Sequence, residues 1–264
     1  MDTASLKDRF WRLKGMLSHA VQRCVRHVGE WPGKALLQLL MAAERLNRRY
    51  SVHGNCAFFQ PDDFPWVRQV VARTAEIQSE LDALLLELDK LPNFQDILPG
   101  QTPLTTDSRW KSFFFSAYGA DFTKNRLRCP RTAQALNLIP GMTTAFFSIL
   151  APGKVLPSHR GPYNGVLRFH LGLRIPAIDQ SCAIRVDGIT KQWAEGDALI
   201  FDDSYEHDAW NLTQHWRIVL FVDFLRPLPL LVHLLNKAMV AFIRRTAFIQ
   251  FAVKNHSRWE ATFY

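Results

Sequence analysis

His159 and His207 stand 48 positions apart, each at the edge of a run of β-type residues. Each is followed by a strand-like run that carries an arginine: Arg168, with His170, in Val166–Leu173, and Arg217 at the head of Arg217–Phe224. A metal that activates oxygen must be held on one face and left open on the other. The usual protein device is two histidines and a carboxylate. The carboxylate normally stands two residues after the first histidine. Here that position is Gly161, in the loop His159-Arg160-Gly161-Pro162-Tyr163-Asn164-Gly165, and the acid is missing.

Arg217 opens a run that is otherwise apolar. A guanidinium buried without an anion is very costly, and its planar fork suits a carboxylate. Two partners fit the sequence: one of Asp202, Asp203 or Asp223, or a bound dicarboxylate such as 2-oxoglutarate. The two-residue period of a strand puts Arg168 and His170 on one face and Leu167, Phe169 and Leu171 on the other. Ser148 lies in the apolar run Thr143–Leu150. Its hydroxyl either helps to bind that carboxylate or bonds to backbone. Trp210, Phe169 and Phe201 are candidate cavity walls, and Trp110-Lys111-x-Phe113 a candidate rim.

These residues need a scaffold that brings distant strand ends together. Segments 5–28 and 33–48 have helical periodicity with many basic residues, punctuated by Trp31-Pro32-Gly33. A strand-like Ala57-Phe58-Phe59 leads to a long amphipathic helix ending near Leu91, and 92–108 has the character of a loop. From Trp110 onward β-type runs dominate: Trp110–Tyr118, Thr143–Leu150, Leu167–Leu173, Ala183–Val186, Ala198–Phe201 and Arg217–Phe224. Turn signals separate them at Pro152-Gly153, Gly161-Pro162, Asp187-Gly188 and Glu195-Gly196. Many short strands after a helical layer predict a mainly β fold with flanking helices, a jelly roll at its centre. After Pro229 a helix is predicted from Leu230 to about Val253. Three regions follow: basic amphipathic helices over 1–50, a jelly-roll domain with helical support over 51–226, and an apolar-basic helix over 227–264.

Composition narrows the partners. The net charge of +8 favours anionic surroundings. No basic, aromatic-interleaved motif for nucleic acid is present, so nucleic acid is not expected as a partner. Cys24, Cys56, Cys129 and Cys182 form no CxxC pair, which points to a reducing compartment rather than a disulfide framework. The first apolar stretch is broken by Lys7, Arg9, Arg12 and Lys14, unlike a signal peptide. The cytoplasm is the expected location, with basic amphipathic ends that suit the inner face of a membrane. No apolar run is long enough to span a bilayer, because His233, Asn236, Lys237, Arg244 and Arg245 interrupt the last one.

The stretch from Trp110 to Pro227 resembles the aspartyl/asparaginyl β-hydroxylase family of Fe(II)- and 2-oxoglutarate-dependent oxygenases. The residues that carry the resemblance are His159-x-Gly161-Pro162, Leu167-Arg168-x-His170-Leu171-Gly172-Leu173, Trp193-x-Glu195-Gly196, Phe201-Asp202-Asp203-Ser204-x-Glu206-His207 and the Arg217 strand. Members of that family use two histidines with glycine in place of the acid, so the missing carboxylate agrees with it. The resemblance implies a double-stranded β-helix and iron held by His159 and His207. It also implies 2-oxoglutarate bound at its distal carboxylate by Arg217 and Ser148, with His170 near its metal-proximal end. Arg168 would lie near that end or on a substrate carboxylate.

The implied activity is a dioxygenase that hydroxylates a C–H bond, with oxygen and 2-oxoglutarate as cosubstrates. One departure bears on the substrate. Peptidyl aspartate hydroxylases carry a second basic residue two positions before the arginine matching Arg168, and here it is Val166. The family also includes bacterial enzymes that hydroxylate an acyl chain of lipid A. Val166 and the basic, apolar ends therefore point to a membrane-proximal acyl chain. The alternatives are β-hydroxylation of Asp or Asn in a peptide, protein or peptide precursor and, in a different class, a noncatalytic jelly-roll binding module.

Overall fold

The computed structural model describes residues 30–98, 104–176 and 179–264. Its eleven strands among these residues are β1 (Phe58–Phe59), β2 (Trp110–Ala117), β3 (Ala120–Asp121), β4 (Met142–Leu150), β5 (Lys154–His159) and β6 (Val166–Arg174), then β7 (Cys182–Val186), β8 (Ile189–Gln192), β9 (Ala198–Phe201), β10 (His207–Asn211) and β11 (Arg217–Leu225). Seven form one sheet in the order β1-β9-β6-β11-β4-β2-β3, and four form a second, β5-β10-β7-β8. All the strand pairings are antiparallel. This is the mainly β, helix-flanked jelly roll that the strand pattern predicts.

The near-continuous apolar runs of β4 and β11 have a physical cause. Both strands lie inside the large sheet, which is buried on both faces. Ile218, Leu220, Val222 and Phe224 face outward into a core with Trp66, Val67, Val70, Ile77 and Leu81 from two helices, Trp66–Val71 and Thr74–Leu85. Val219 and Phe221 face inward, with Phe146 and Leu150, toward Ile184, Val186 and Ala209 of the small sheet. Arg217 and Asp223 share that inward alternation, so the polar residues of β11 project between the sheets.

Two predicted helices are each broken in two. The helix expected to run to Leu91 is Trp66–Val71 plus Thr74–Leu85, and the one expected over Leu230–Val253 is Leu230–Arg244 plus Ala247–Phe263. The same device accompanies both breaks. Thr74 Oγ1 donates to the Val71 carbonyl at 2.6 Å, and Thr246 Oγ1 donates to the Ile243 carbonyl at 2.7 Å. A side chain that bonds to the local backbone competes with the helical ladder. The last helix packs on the barrel, with Ile249, Ala252 and His256 buried. The 227–264 region is thus not one helix, and its second half belongs to the main core. Within 92–108, residues Phe94–Ile97 are helical, and Phe94 stacks on Trp110 with ring centroids 3.8 Å apart. Near the N-terminus the expected 33–48 helix is Glu30–Arg49, while segment 5–28 lies outside the described residues.

Candidate active site

The small sheet sets the two histidines side by side. His207 of β10 pairs in register with His159 of β5, and their ring centroids are 4.1 Å apart. A register irregularity separates this pair from the Ala209–Leu156 pair. It falls at Pro157, which an edge strand tolerates because its missing N–H faces no neighbour. Each imidazole is oriented by backbone. His159 Nδ1 donates to the Pro157 carbonyl at 2.8 Å, and His207 Nδ1 donates to the Tyr205 carbonyl at 2.9 Å. A carbonyl only accepts, so both protons sit on Nδ1 and both Nε2 lone pairs are left for a ligand. Burial pushes His159 down to about 4 and His207 well below its usual range, which keeps both rings neutral.

No carboxylate completes a triad. Among the described residues there is no group of three or more His, Cys, Asp and Glu able to hold a metal. Gly161, where a third ligand would stand, has no room for one. A Cβ there would lie 2.1 Å from Asp203 Oδ2. The Gly161 N–H donates to the Asp203 carbonyl at 2.7 Å, which fixes that close approach. The donor set is therefore two imidazoles with no protein carboxylate beside them among the described residues, which is compatible with a metal that takes its remaining ligands from outside the chain.

Arg217 is the second feature. It is buried on β11, its Nε has no hydrogen-bond partner, and among the described residues no carboxylate forms an ion pair with it. The three aspartates that the sequence offered are engaged elsewhere. Asp202 binds Arg226, while Asp203 and Asp223 both bind Arg168 at 2.8 Å. Burial without an anion lowers the Arg217 guanidinium to about 10. Arg217 Nη1 donates to Ser148 Oγ at 3.5 Å, and the same oxygen accepts the Trp110 indole N–H at 3.0 Å, so the Ser148 O–H is left to donate.

His170 belongs to the same cavity. Its Nδ1 accepts the Trp193 indole N–H at 3.3 Å, so the remaining ring proton is on Nε2, which is buried and unpartnered. Trp193 also lies under Arg217, 4.7 Å from ring centroid to guanidinium carbon. Phe201 contacts both His170 and His207, at centroid distances of 5.0 and 6.2 Å. The site is therefore an array: the histidine pair, Phe201, His170, Trp193, then Arg217 with Ser148.

Arg168 differs from the other predicted site residues. Its guanidinium is held between Asp203 and Asp223 and lies over the Phe221 ring at 4.2 Å. Its charge is already met by two acids, and that clamp ties β6 to β11 and to the loop before His207. Two expected wall residues point elsewhere. Phe169 packs against Trp66 at 5.1 Å on the outer face of the sheet, as strand alternation from His170 requires. Trp210 alternates outward from His207 and donates to the Gln180 carbonyl at 2.7 Å. Of the candidate rim, Trp110 reaches Ser148, Lys111 donates to the Leu91 carbonyl, and Phe113 lies in the outer core.

Trp193 is the site residue that pattern reading did not assign a role. It precedes a chain crossing in which Gly172 meets the Ala194 carbonyl, where a Cβ would come within 2.0 Å. The signal was the pairing of Gly172 with Trp193-x-Glu195-Gly196, since close backbone approach demands glycine.

Comparison with known proteins gives the family of the chain. The aspartyl/asparaginyl beta-hydroxylase family matches residues 72–227. The ornithine lipid ester-linked acyl 2-hydroxylase of Rhizobium tropici is 46% identical over 86% of this chain and 81% of its own length. Aspartate beta-hydroxylase domain-containing protein 2 of Xenopus tropicalis is 31% identical over 69% of this chain, which spans 53% of that protein. The human aspartyl/asparaginyl beta-hydroxylase is 36% identical over 49% of this chain, which spans 18% of its length. By these matches the chain belongs to the aspartyl/asparaginyl β-hydroxylase family.

Proposed function

We propose that this protein is an Fe(II)- and 2-oxoglutarate-dependent hydroxylase that acts on carbon 2 of an ester-linked acyl chain of an ornithine lipid. The observation that carries the reading is Arg217, a buried guanidinium with no internal anion, at the far end of an array that begins at two free imidazole nitrogens. A dicarboxylate spans such an array. One carboxylate would lie on Arg217 and Ser148, and its 2-oxo acid end would reach the metal past His170. Iron held by His159 and His207 supplies the redox chemistry when bound.

In the proposed reaction one C–H bond of the acyl chain becomes C–OH. 2-Oxoglutarate is oxidised to succinate and carbon dioxide, and of the two atoms of O2 one enters succinate and the other the new hydroxyl. The chain's own part is positional. The backbone-bonded histidines present neutral nitrogens, the His170 N–H and the Arg217 fork fix the cosubstrate, and Phe201 and Trp193 keep water from the space between. Arg168, locked by two aspartates, holds the strands that carry these groups.

The lipid follows from the relative at 46% identity, which is named for that activity, together with Val166 and the basic, apolar C-terminal region. An ornithine lipid takes the place of the lipid A acyl chain that the sequence pattern alone favours. The test is mass spectrometry of purified protein with Fe(II), 2-oxoglutarate and detergent-dispersed ornithine lipid, with an Asp- and Asn-containing peptide as competitor. One oxygen added to the ester-linked chain is expected. Oxidation of the peptide instead would move the protein to the peptidyl class. Binding of 2-oxoglutarate with turnover of neither substrate would leave a binding module.

A further inference from the structure

The helix Leu230–Arg244 presents two faces of different character. Asn236 and Met239 are buried, and Asn236 Nδ2 donates to the Gly165 carbonyl at 2.7 Å. The opposite face exposes Leu230, Leu231, Leu234, Leu235 and Phe242, with the first two more than 70% exposed. At 100° per residue these five fall within one apolar stripe. Lys237 and Arg244 border the stripe, and Arg245 ends it. No acidic residue occurs between Asp223 and Glu260. No helix among the described residues is long and apolar enough to cross a membrane.

From this juxtaposition we infer that the Leu230–Arg244 helix is the docking surface of the protein on an anionic lipid bilayer, with its leucines in the acyl boundary and its basic residues at the headgroups. The charge pattern selects this occupant. The charged residues of this helix are all cations, which disfavours a second copy against it and suits an anionic interface. The inference rests on the lipid-hydroxylase reading and adds an orientation to it. The buried face of the docking helix clamps Gly165, in the loop that leaves His159. The neighbouring helix Glu30–Arg49 clamps the same loop, since Asn47 Nδ2 donates to Tyr163 Oη at 3.0 Å and to Asn164 Oδ1 at 3.1 Å. The bilayer and His159 are thus joined through one short loop held from two helices.

The test is flotation of the full chain with phosphatidylglycerol and with phosphatidylcholine vesicles. It is run for the native protein and for the triple variant Leu231→Ser, Leu234→Ser, Leu235→Ser, alongside sedimentation velocity and thermal melting without lipid. The native protein should float with the anionic vesicles, and less so at high salt. The variant should lose about tenfold or more of that binding while keeping its melting temperature and its turnover of detergent-dispersed lipid. Binding indifferent to the three leucines or to lipid charge overturns the inference. So does a native dimer that the variant dissolves, which would make the face an interface between copies. A variant that melts early and a native chain that does not float would mean that the chain's own residues cover the face, and the inference again falls. Vesicle binding without hydroxylation of ornithine lipid leaves the docking surface standing and removes only the substrate.

Discussion

Trp193 lies beneath Arg217 with 4.7 Å between ring centroid and guanidinium carbon, and the same indole donates its N–H to His170. One aromatic side chain thereby sets both the buried Arg217 cation and the unpartnered His170 N–H, the two groups proposed to bind the cosubstrate. Replacing Trp193 with Phe keeps the ring under Arg217 and removes the donor. His170 Nδ1 then loses its partner, and the imidazole is free to turn or change tautomer. The expected result is a raised apparent KM for 2-oxoglutarate with native-like circular dichroism. An unchanged KM would show that the His170 tautomer plays no part in cosubstrate binding.

Arg217 is a costly residue for the empty protein, because burial disfavours its charge and no internal acid answers it. Arg217→Met should therefore leave the melting temperature of the ligand-free protein equal or higher. It should also abolish the rise in melting temperature that 2-oxoglutarate is expected to give the native protein. The loss of binding is expected at about 2–5 kcal/mol, the range for truncating one partner of a buried charged pair. A lowered ligand-free melting temperature together with an undiminished ligand shift would make Arg217 a structural residue.

Gly161 marks the absent third ligand, and its surroundings explain why a side chain there is not tolerated. Gly161→Ala puts a methyl group into the Asp203 carboxylate and so strains the Arg168–Asp203 pair. A loss of about 1–3 kcal/mol in chemical denaturation is expected, the range for overpacking a filled site. Gly161→Asp should bind Fe(II) no more tightly than the native protein, by anaerobic metal titration. Tighter binding there would mean that the cavity accepts a protein carboxylate after all.

His256 gives the fold an acid-sensitive joint. It is fully buried on the last helix, stacks on Phe122 at 3.5 Å and meets Asn125 Nδ2 at 3.1 Å, and burial lowers it to about 3. A histidine depressed when folded is protonated more readily in the unfolded chain. Stability is then full above the ordinary value near 6.5 and drains away as pH falls from there toward about 3. His256→Gln should flatten this fall without removing it, because His159, His170 and His207 are depressed as well. Melting temperatures at about pH 7.5 and about pH 5 provide the comparison. An equal drop in both proteins would place the acid sensitivity elsewhere.

Much of the site was legible because strand periodicity and glycine punctuation are local. The two-residue period placed Arg168 and His170 on one face and Leu167, Phe169 and Leu171 on the other. Asp187-Gly188 marked its hairpin, both residues having positive φ and joining β7 to β8 directly. What escaped depended on long-range geometry. No local pattern tells that Asp203 and Asp223 converge on Arg168 while leaving Arg217 alone, nor that Trp193 swings beneath Arg217. The broken helices escaped for a different reason, since apolar periodicity carries across Thr74 and Thr246 although their hydroxyls take the carbonyls three residues back. The exposed stripe on Leu230–Arg244 was visible as apolar-basic sequence, but only packing separated it from the helix that follows, which buries Ile249, Ala252 and His256.

The pairing of His159 and His207 makes the proposed metal requirement simple to isolate. Alanine at either position removes one of the two proposed imidazole ligands, so Fe(II)-dependent succinate formation should fall to background with the fold intact by circular dichroism. Turnover surviving in either variant would take that histidine out of the metal site.

The most direct measurement of the central claim is isotope partition from 18O2 in a single reaction of purified protein, Fe(II), 2-oxoglutarate and ornithine lipid. The account predicts one labelled oxygen in succinate for each hydroxyl placed on carbon 2 of the ester-linked chain, that hydroxyl also drawn from O2. Hydroxylated lipid without matching succinate, or no hydroxylated lipid at all from protein that binds both metal and 2-oxoglutarate, would contradict it.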